Sequence, residues 1–343
     1  MQTLPLHIFT AFEKAECPEN LLQGFQKYLK ADYEFTHTPY EIVAELFGVS
    51  LRYYPSQNKA DNSLFIVPSI INGSEVFDLL EEYSFISYAT QQNIDIYMID
   101  WGDLSQGFSA GLADLLAHIF MPMWHKANEH SGTPLHVLGY CLGGTLCADF
   151  FANSQTNHQP KSLTFLATPF DFSLEDAPWR YVEKNSSNIK SQIRLQQGLT
   201  QRMLQSHFLK LHPDYTIQKF QEFYKMEERS LEEKKFVAVE RWLNDGFDLP
   251  AELSIDIIEH YFVGNKLLDD LRALPKVPFA MISSENDQIV PSKSAQIFQQ
   301  TYPHVHQITT HCGHVGMMVG RDAKRTVWEP LVSFLSTAAL QQN

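Results

Sequence analysis

Short apolar runs recur along the chain, and most of them are closed by a turn residue such as Gly, Pro or Asp. Runs of this length without polar alternation are typical of strands that are buried on both faces of a parallel sheet. The pattern predicts such strands at residues 64–67, 95–99, 135–138 and 162–166, and two later strands are expected at 279–283 and 306–310.

Stretches with helical spacing separate the first four of these strands, at residues 75–92, 107–129 and 142–155. Strand and helix alternating at this spacing predict a mostly parallel sheet with helices on both faces. A last amphipathic helix is expected near residues 326–335.

Two further regions lack this alternation. Residues 1–60 are polar and predict an N-terminal helical segment, with a short amphipathic helix at 41–46 and a short strand at 51–54. Residues 173–262 are rich in Glu, Lys, Gln and Leu at helical spacing, as at 193–209 and 232–243, and show no clear strand. We therefore expect a core formed by 61–172 and 263–343, interrupted by a helical lid or cap at 173–262.

The composition of the 343 residues is that of a globular protein, with 44% hydrophobic and 19% charged residues. The formal net charge of −14 repels phosphate backbones and argues against a nucleic-acid partner. We find neither a signal-peptide pattern nor an apolar run of transmembrane length, and the four cysteines do not suggest a disulfide scaffold. A cytoplasmic location is the expectation.

The third predicted strand leads directly into Gly139-Tyr140-Cys141-Leu142-Gly143, a glycine-flanked nucleophile between a strand and a helix. This pattern is a nucleophile elbow, a strained turn that needs residues without bulky side chains two positions before and after the nucleophile. The turn places Cys141 at a helix start, where free N–H groups and the helix dipole favour a thiolate.

An elbow of this kind also predicts an oxyanion hole. The backbone N–H of Leu142 would be one donor. The second would come from the loop after the first core strand, with Ile70 or Ile71 as the donor.

A nucleophile elbow further predicts an acid and then a histidine, in that chain order and after later strands. Asp287 follows the strand at 279–283, and His314 follows the strand at 306–310. Both positions lie just past the carboxyl ends of strands, where open α/β sheets place their sites. The sequence therefore predicts an α/β-hydrolase fold with Cys141, Asp287 and His314 as its catalytic residues.

Alternatives exist for these residues. Glu285 competes with Asp287 but lies nearer the strand end, and His311 competes with His314, which Gly313 and Gly316 flank. Cys312, His311 and His314 could form a zinc site, although no C-x-x-C spacing is present, and no metal is predicted. Cys147, six residues after Cys141, is expected to be a core thiol.

Several segments together resemble the polyhydroxyalkanoate synthases, which are relatives within the α/β-hydrolase superfamily. The segment at 139–144 resembles the family's G-x-C-x-G-G box, and those at 286–291 and 313–316 resemble its aspartate and histidine motifs. Further resemblance lies at 66–72, at the aspartate-tryptophan-glycine motif of 99–102, at 167–172 and at the tryptophan-centred cap segment 240–246. The resemblance as a whole extends over about residues 60–338.

The resemblance implies an acyltransferase that polymerises (R)-3-hydroxyacyl-CoA and releases CoA. Cys141 would carry the acyl group, His314 would be the general base and Asp287 its partner, whereas Asp100 and Trp101 would be structural. No cofactor is implied, because the CoA thioester is the substrate. The resemblance also implies a polyester granule surface as a contact, and either a second synthase subunit or a second copy as a partner.

One departure from the family pattern keeps a second function open. The family usually has a histidine directly after the catalytic aspartate, and this chain has Gln288. A thioesterase or intracellular polyester hydrolase with the same three residues is therefore the alternative to a synthase. A non-catalytic granule-binding or partner-binding protein is the third hypothesis.

Overall fold

An eight-stranded sheet organises the chain, which the computed structural model describes for residues 19–211 and 213–340. Its order is β1-β2-β4-β3-β5-β6-β9-β10, and only β2 runs against the others. The strands are β1 Glu41–Leu46, β2 Val49–Tyr54, β3 Asn62–Val67, β4 Ile94–Asp100, β5 His136–Tyr140, β6 Ser162–Leu166, β7 Gly198–Leu199, β8 Leu249–Pro250, β9 Phe279–Ser284 and β10 His306–Thr310. The short strands β7 and β8 pair only with each other.

Helices cover both faces of the sheet and fill the region between β6 and β9. They are α1 Glu19–Lys30, α2 Phe85–Gln91, α3 Leu112–Leu115, α4 Met121–Ser131, α5 Leu142–Asn153, α6 Arg180–Lys184, α7 Ser186–Gln196, α8 Gln201–Leu211, α9 Pro213–Lys225, α10 Leu231–Asn244, α11 Ala251–Ile257, α12 Leu267–Asp270, α13 Lys293–Thr301, α14 Gly316–Val319 and α15 Glu329–Leu340. Wider π-helical turns at Leu116–Phe120, Ile258–Val263 and Lys324–Trp328 join α3 to α4, extend α11 and precede α15.

The apolar runs alternate between two hydrophobic layers. In β3, Phe65 and Val67 join the cluster beneath α4 and α5, whereas Leu64 and Ile66 join the cluster beneath α2 and α15. All four side chains are fully buried, and burial of such a side chain stabilises the fold by about 1.5–3 kcal/mol. The predicted mostly parallel sheet with helices on both faces is confirmed.

The amphipathic helix predicted at 41–46 is wrong, because this segment is strand β1, paired antiparallel with β2. Phe47 and Gly48 both have positive φ, at 53° and 79°, which is the backbone of a tight hairpin turn. Because β1 lies at the edge of the sheet, even Ile42 is 55% exposed. The segment therefore lacks the alternation of apolar and polar residues by which a half-buried strand is identified. In the described part of 1–60, only α1 is helical, and residues 1–18, with Cys17, lie outside it.

The region between β6 and β9 is predominantly helical. Its two-residue strands β7 and β8 were not predicted, and the helix expected at 193–209 is interrupted where Gln197 has a φ of 59°. The predicted boundary after residue 262 falls inside the turn Ile258–Val263. The division into core and cap at these boundaries stays a prediction.

The N-terminal helix α1 docks on the cap rather than on the sheet. Leu21, Phe25 and Tyr28 share a buried cluster with Phe220 and Phe223 of α9. Lys27 Nζ donates to the Phe223 carbonyl at 3.3 Å. Residues separated by about two hundred positions thus form one small core.

His136 is a buried histidine at the start of β5. One ring nitrogen lies 2.7 Å from Ser162 Oγ and the other lies 3.2 Å from Asn62 Oδ1. Burial, assisted by the charge of Lys161, lowers the pKa of His136 to about 3. The folded protein therefore holds this ring neutral, while an unfolded chain protonates it near pH 6.5.

This shift predicts a loss of stability in mild acid. Because the pKa in the folded state is depressed, His136 favours folding fully above pH ~6.5, and this contribution decreases as the pH falls towards 3. Between pH 7.5 and 5, we expect wild type to lose about 2 kcal/mol more unfolding free energy than His136→Gln. Urea unfolding at both pH values measures this difference. Equal losses in the two proteins would contradict it.

Candidate active site

The candidate nucleophile lies on a strained turn. Cys141 directly follows β5 and has a φ of 54° and a ψ of −128°, a conformation that costs a residue with a side chain on the order of 1–3 kcal/mol. Its N–H donates to the Leu166 carbonyl at 2.9 Å, and its carbonyl accepts the N–H of Gly144 at 2.9 Å. These bonds hold the partly buried Cys141 at the start of α5.

Glycines make this turn sterically feasible. A Cβ on Gly139 would collide with the backbone of Gly144, and a Cβ on Gly143 would collide with the carbonyl oxygens of Val67 and Pro68. The elbow and the end of β3 therefore pack backbone against backbone. This contact brings the loop after β3 next to Cys141.

The predicted oxyanion donors lie at this contact. Leu142 is the first residue of α5, so its N–H has no acceptor within the helix. Ile71 N–H donates to Ser69 Oγ at 3.4 Å, whereas Ile70 N–H bonds to none of the residues that the structure describes. Of the two alternatives, the geometry favours Ile70, and the roles of Leu142 and Ile70 stay a prediction.

The aspartate-tryptophan segment after β4 supports the same loop. Trp101 Nε1 donates to the Pro68 carbonyl at 3.0 Å. Asp100 forms an ion pair with Arg52 and accepts the Ser74 hydroxyl at 3.0 Å. Both residues thus hold the backbone around the predicted oxyanion hole.

Asp287 is a buried carboxylate whose hydrogen bonds fix it beside His314. Oδ1 accepts the N–H groups of Ile289 and Val290, both at 2.9 Å, which fixes the side chain in its own loop. Oδ2 lies 2.7 Å from His314 Nδ1. Glu285, the rival acid, is exposed.

His314 brings the other two residues together. Burial disfavours its charged form, but the charge and hydrogen bond of Cys141 and those of Asp287 outweigh burial and raise the pKa of His314 to about 10. His314 is 9% exposed, whereas the rival His311 is exposed. The structure therefore assembles Cys141, His314 and Asp287, and their catalytic roles stay a prediction.

Asn286 links two loops of the site, a role that was not predicted from the sequence. Its Nδ2 donates to the His311 carbonyl at 2.9 Å, which joins the loop carrying Asp287 to the loop carrying His314. Its own N–H donates to Ser284 Oγ at 3.1 Å. The position directly before Asp287 was the only sequence signal for this role.

The cap reaches the site through Trp242 on α10. Its Nε1 donates to the Gly73 carbonyl at 2.7 Å, and its ring joins the hydrophobic cluster that contains Tyr140 and Leu166. The tryptophan-centred segment at 240–246 therefore anchors the cap beside the loop after β3.

A separate cavity of about 770 Å³ lies between α7 and α8, and none of the three candidate residues lines it.

The structure describes two further cysteines, Cys147 and Cys312. Cys147 is fully buried, and burial raises its pKa well above the ordinary value, so the predicted core thiol is found. Cys312 Sγ lies 3.8 Å from Thr326 Oγ1. Within residues 19–211 and 213–340, no group of three His, Cys, Asp or Glu side chains could hold a metal. The described helices include none that is long and apolar enough to cross a membrane.

Comparison with known families supports the same fold. A family model described as the alpha/beta hydrolase fold matches residues 127–321, more than half of the chain. A carboxyl esterase from Bacillus coagulans has a TM-score of 0.59 at 14% identity, over 88% of this chain and 98% of the esterase. At this identity the likeness concerns the fold alone, and it agrees with the predicted fold class.

Curated relatives confirm the predicted resemblance. A poly(3-hydroxyalkanoate) polymerase subunit of Haloferax mediterranei is 25% identical over 316 residues, which are 86% of this chain and 63% of the relative. The corresponding subunit of Haloarcula marismortui is 23% identical over 96% of this chain and 70% of the relative. The chain thus spans about two thirds of the length of these two relatives.

The environment of His314 predicts the effect of an Asp287→Asn substitution. We expect the pKa of His314 to fall below about 10, because the charge and the hydrogen bond of Asp287, which help raise it, would be lost or weakened. Because its pKa is raised in the folded state, His314 stabilises the fold fully below pH ~6.5, and this stabilisation is lost as the pH rises towards 10. With a lower pKa in the variant, the stabilisation would be lost at a lower pH. NMR titration of labelled histidines measures the pKa. Glu285→Gln, in the same loop, is the control, and an unchanged pKa in Asp287→Asn would contradict the assignment.

Proposed function

This chain belongs to the α/β-hydrolase fold family, and on that premise we propose that it is an acyltransferase of the polyhydroxyalkanoate synthase type. It polymerises (R)-3-hydroxyacyl-CoA through an acyl group carried on Cys141, and it releases CoA. The observation that carries the proposal is a cysteine at the nucleophile elbow, close enough to a buried histidine to raise its pKa, with Asp287 Oδ2 2.7 Å from that histidine's Nδ1. The named relatives support the substrate class.

The acylation step begins from the paired thiolate and imidazolium. Cys141 Sγ attacks the thioester carbonyl carbon, and the carbonyl oxygen takes up the displaced electron pair at the N–H groups of Leu142 and Ile70. The intermediate collapses, the bond to the CoA sulfur breaks, and the imidazolium of His314 gives its proton to the leaving thiolate. The products are free CoA, acyl-Cys141 and neutral His314.

The transfer step uses the His314 that acylation has made neutral. Acylation removes the negative charge of Cys141, which is the principal influence that raises the pKa of His314. The neutral imidazole then accepts the proton from the 3-hydroxyl group of a second hydroxyacyl unit, while the oxygen of that hydroxyl attacks the carbonyl carbon of acyl-Cys141. The sulfur leaves as a thiolate beside the new imidazolium, and the ester chain is longer by one unit.

A cysteine suits this sequence better than a serine. Exchange of one thioester for another is nearly balanced in free energy, so the acyl-cysteine remains a good donor to a hydroxyl. Water competes with the hydroxyl, and a covered site is needed to exclude it. The cap, anchored by Trp242 at Gly73, is the part of the chain that supplies this cover.

A hydrolase remains the second candidate function. Gln288 follows Asp287 where the family usually has a histidine, and its side chain is exposed. The same three residues would then transfer the acyl group to water, as in a thioesterase or an intracellular polyester hydrolase. We further propose a cytoplasmic, granule-associated protein that acts with a second synthase subunit or a second copy of itself.

The decisive assay follows CoA release and turbidity with (R)-3-hydroxybutyryl-CoA. We expect both signals in wild type and neither in Cys141→Ala, because the substitution removes the acyl carrier. Cys147→Ala is the matched control, since it removes another thiol of the elbow helix that is fully buried and whose pKa burial raises.

The other outcomes of this assay discriminate between the functions. CoA release without turbidity, leaving free hydroxy acid, would support the hydrolase and refute the synthase. Unchanged activity in Cys141→Ala would exclude Cys141 as the nucleophile. If wild type shows neither signal even with candidate partner subunits present, the synthase proposal is refuted.

The anchor between cap and core makes a further prediction. Trp242→Phe keeps an aromatic ring in the cluster but removes the hydrogen bond to Gly73. If loss of this hydrogen bond raises the activation free energy by about 1 kcal/mol, kcat falls roughly fivefold. A less firmly anchored cap would also raise the fraction of substrate that is hydrolysed by water. CoA release compared with free hydroxy acid measures this fraction. Trp179→Phe, which loses an equivalent indole bond to the Phe172 carbonyl at 3.0 Å, should not raise it; an equal rise would contradict the role of Trp242.

A further inference from the structure

Tyr140, the residue before Cys141, lies directly against the candidate histidine. It is the last residue of β5 and points to the same face of the sheet as Leu138, two positions earlier. Its ring centroid lies 5.3 Å from that of His314, with 31° between the planes. On another side, Phe77 meets it edge to face, with centroids 5.7 Å apart. The Tyr140 ring is therefore held against the face of the imidazole.

The hydroxyl group of Tyr140 does not explain why a tyrosine is buried here. The side chain is 2% exposed, and its oxygen has no hydrogen-bond partner in the described part of the chain. Burial and the charges of Cys141 and Asp287 raise its pKa well above the ordinary value, so it stays a neutral phenol. An unpartnered buried hydroxyl destabilises a fold, which leaves the ring as the part of Tyr140 with a favourable contact.

An aromatic face attracts a cation held against it. The π system presents negative charge above the ring, and centroid distances up to about 6 Å permit this attraction. His314 meets this condition when it is protonated. The other titratable groups acting on His314 are Cys141, from the elbow, and Asp287, from the loop after β9.

We propose that Tyr140 is a positioning residue whose ring holds the imidazole of His314 between Asp287 and Cys141 and stabilises its imidazolium form. The contribution of Asp287 acts in the plane of the imidazole, through Nδ1. The contribution of Tyr140 acts on its face. The two contacts together fix both the rotation of the ring and its charge before acyl transfer. The consequence for catalysis rests on the proposed function, whereas the effect on the charge of His314 does not.

The test is an NMR titration of His314 in the intact protein, with the resonance assigned by its loss in His314→Gln. We expect Tyr140→Leu to lower the pKa of His314 by roughly half to one unit, and Tyr140→Phe to leave it within ~0.3 unit of wild type. Phe85→Leu is the control, because Phe85 lies in the same cluster and contacts Phe77 but not His314.

Each result either supports or overturns the proposal. An unchanged pKa of His314 in folded Tyr140→Leu would overturn it, and so would an equal decrease in Tyr140→Phe, which would assign the effect to the hydroxyl group. If Tyr140→Leu does not fold, Tyr140→Met supplies a flexible side chain of similar length for the same measurement. Because the titration uses no substrate, its outcome is independent of whether the protein releases CoA.

In an active preparation, a second measurement separates positioning from packing. The rate of CoA release should reach its maximum at lower pH in Tyr140→Leu than in wild type, with kcat reduced and KM little changed. A loss of activity without any shift of the pH profile would indicate packing alone and would overturn the positioning role.

Discussion

The positive φ of Cys141 is the constraint on which the site depends. A residue with a side chain adopts this conformation only where its surroundings impose it, and here the backbone bonds to Leu166 and from Gly144 do so. Glycines at 139 and 143 let β3, β5 and α5 approach closely enough for these bonds to form. The same approach brings the loop after β3, with Ile70, next to the start of α5, so the conformation of a single residue is linked to the arrangement of the predicted oxyanion hole.

Electrostatic coupling gives this geometry its chemistry. A buried imidazole would ordinarily resist protonation, yet its interactions with Cys141 and Asp287 raise the pKa of His314 to about 10. In the proposed acyl transfer, acylation would remove the charge of Cys141 and so change the preferred protonation state of the ring. The same histidine would then serve first as a proton donor and afterwards as a proton acceptor.

Much of this arrangement could be predicted from the sequence, and the exceptions have physical causes. Strand β3 was predictable because burial on both faces leaves an uninterrupted apolar run at 64–67, and Asp287 and His314 were predictable from their chain order after the elbow. Strand β1 was not, since an edge strand exposes residues such as Ile42 and loses its pattern. Contacts through backbone atoms, such as Asn286 to the His311 carbonyl, leave no trace in residue spacing. The face contact of Tyr140 was hidden for a related reason, because it depends on how the end of β5 packs against the distant loop that carries His314.

The docking of α1 on the cap has a consequence for folding during synthesis. Leu21, Phe25 and Tyr28 leave the ribosome early, but the side chains that cover them, Phe220 and Phe223, follow about two hundred residues later. At a translation rate of about 5–20 residues per second, this apolar surface waits on the order of ten to forty seconds for its partner. During that interval the nascent chain exposes an apolar helix surface, to which a chaperone or another nascent chain can bind.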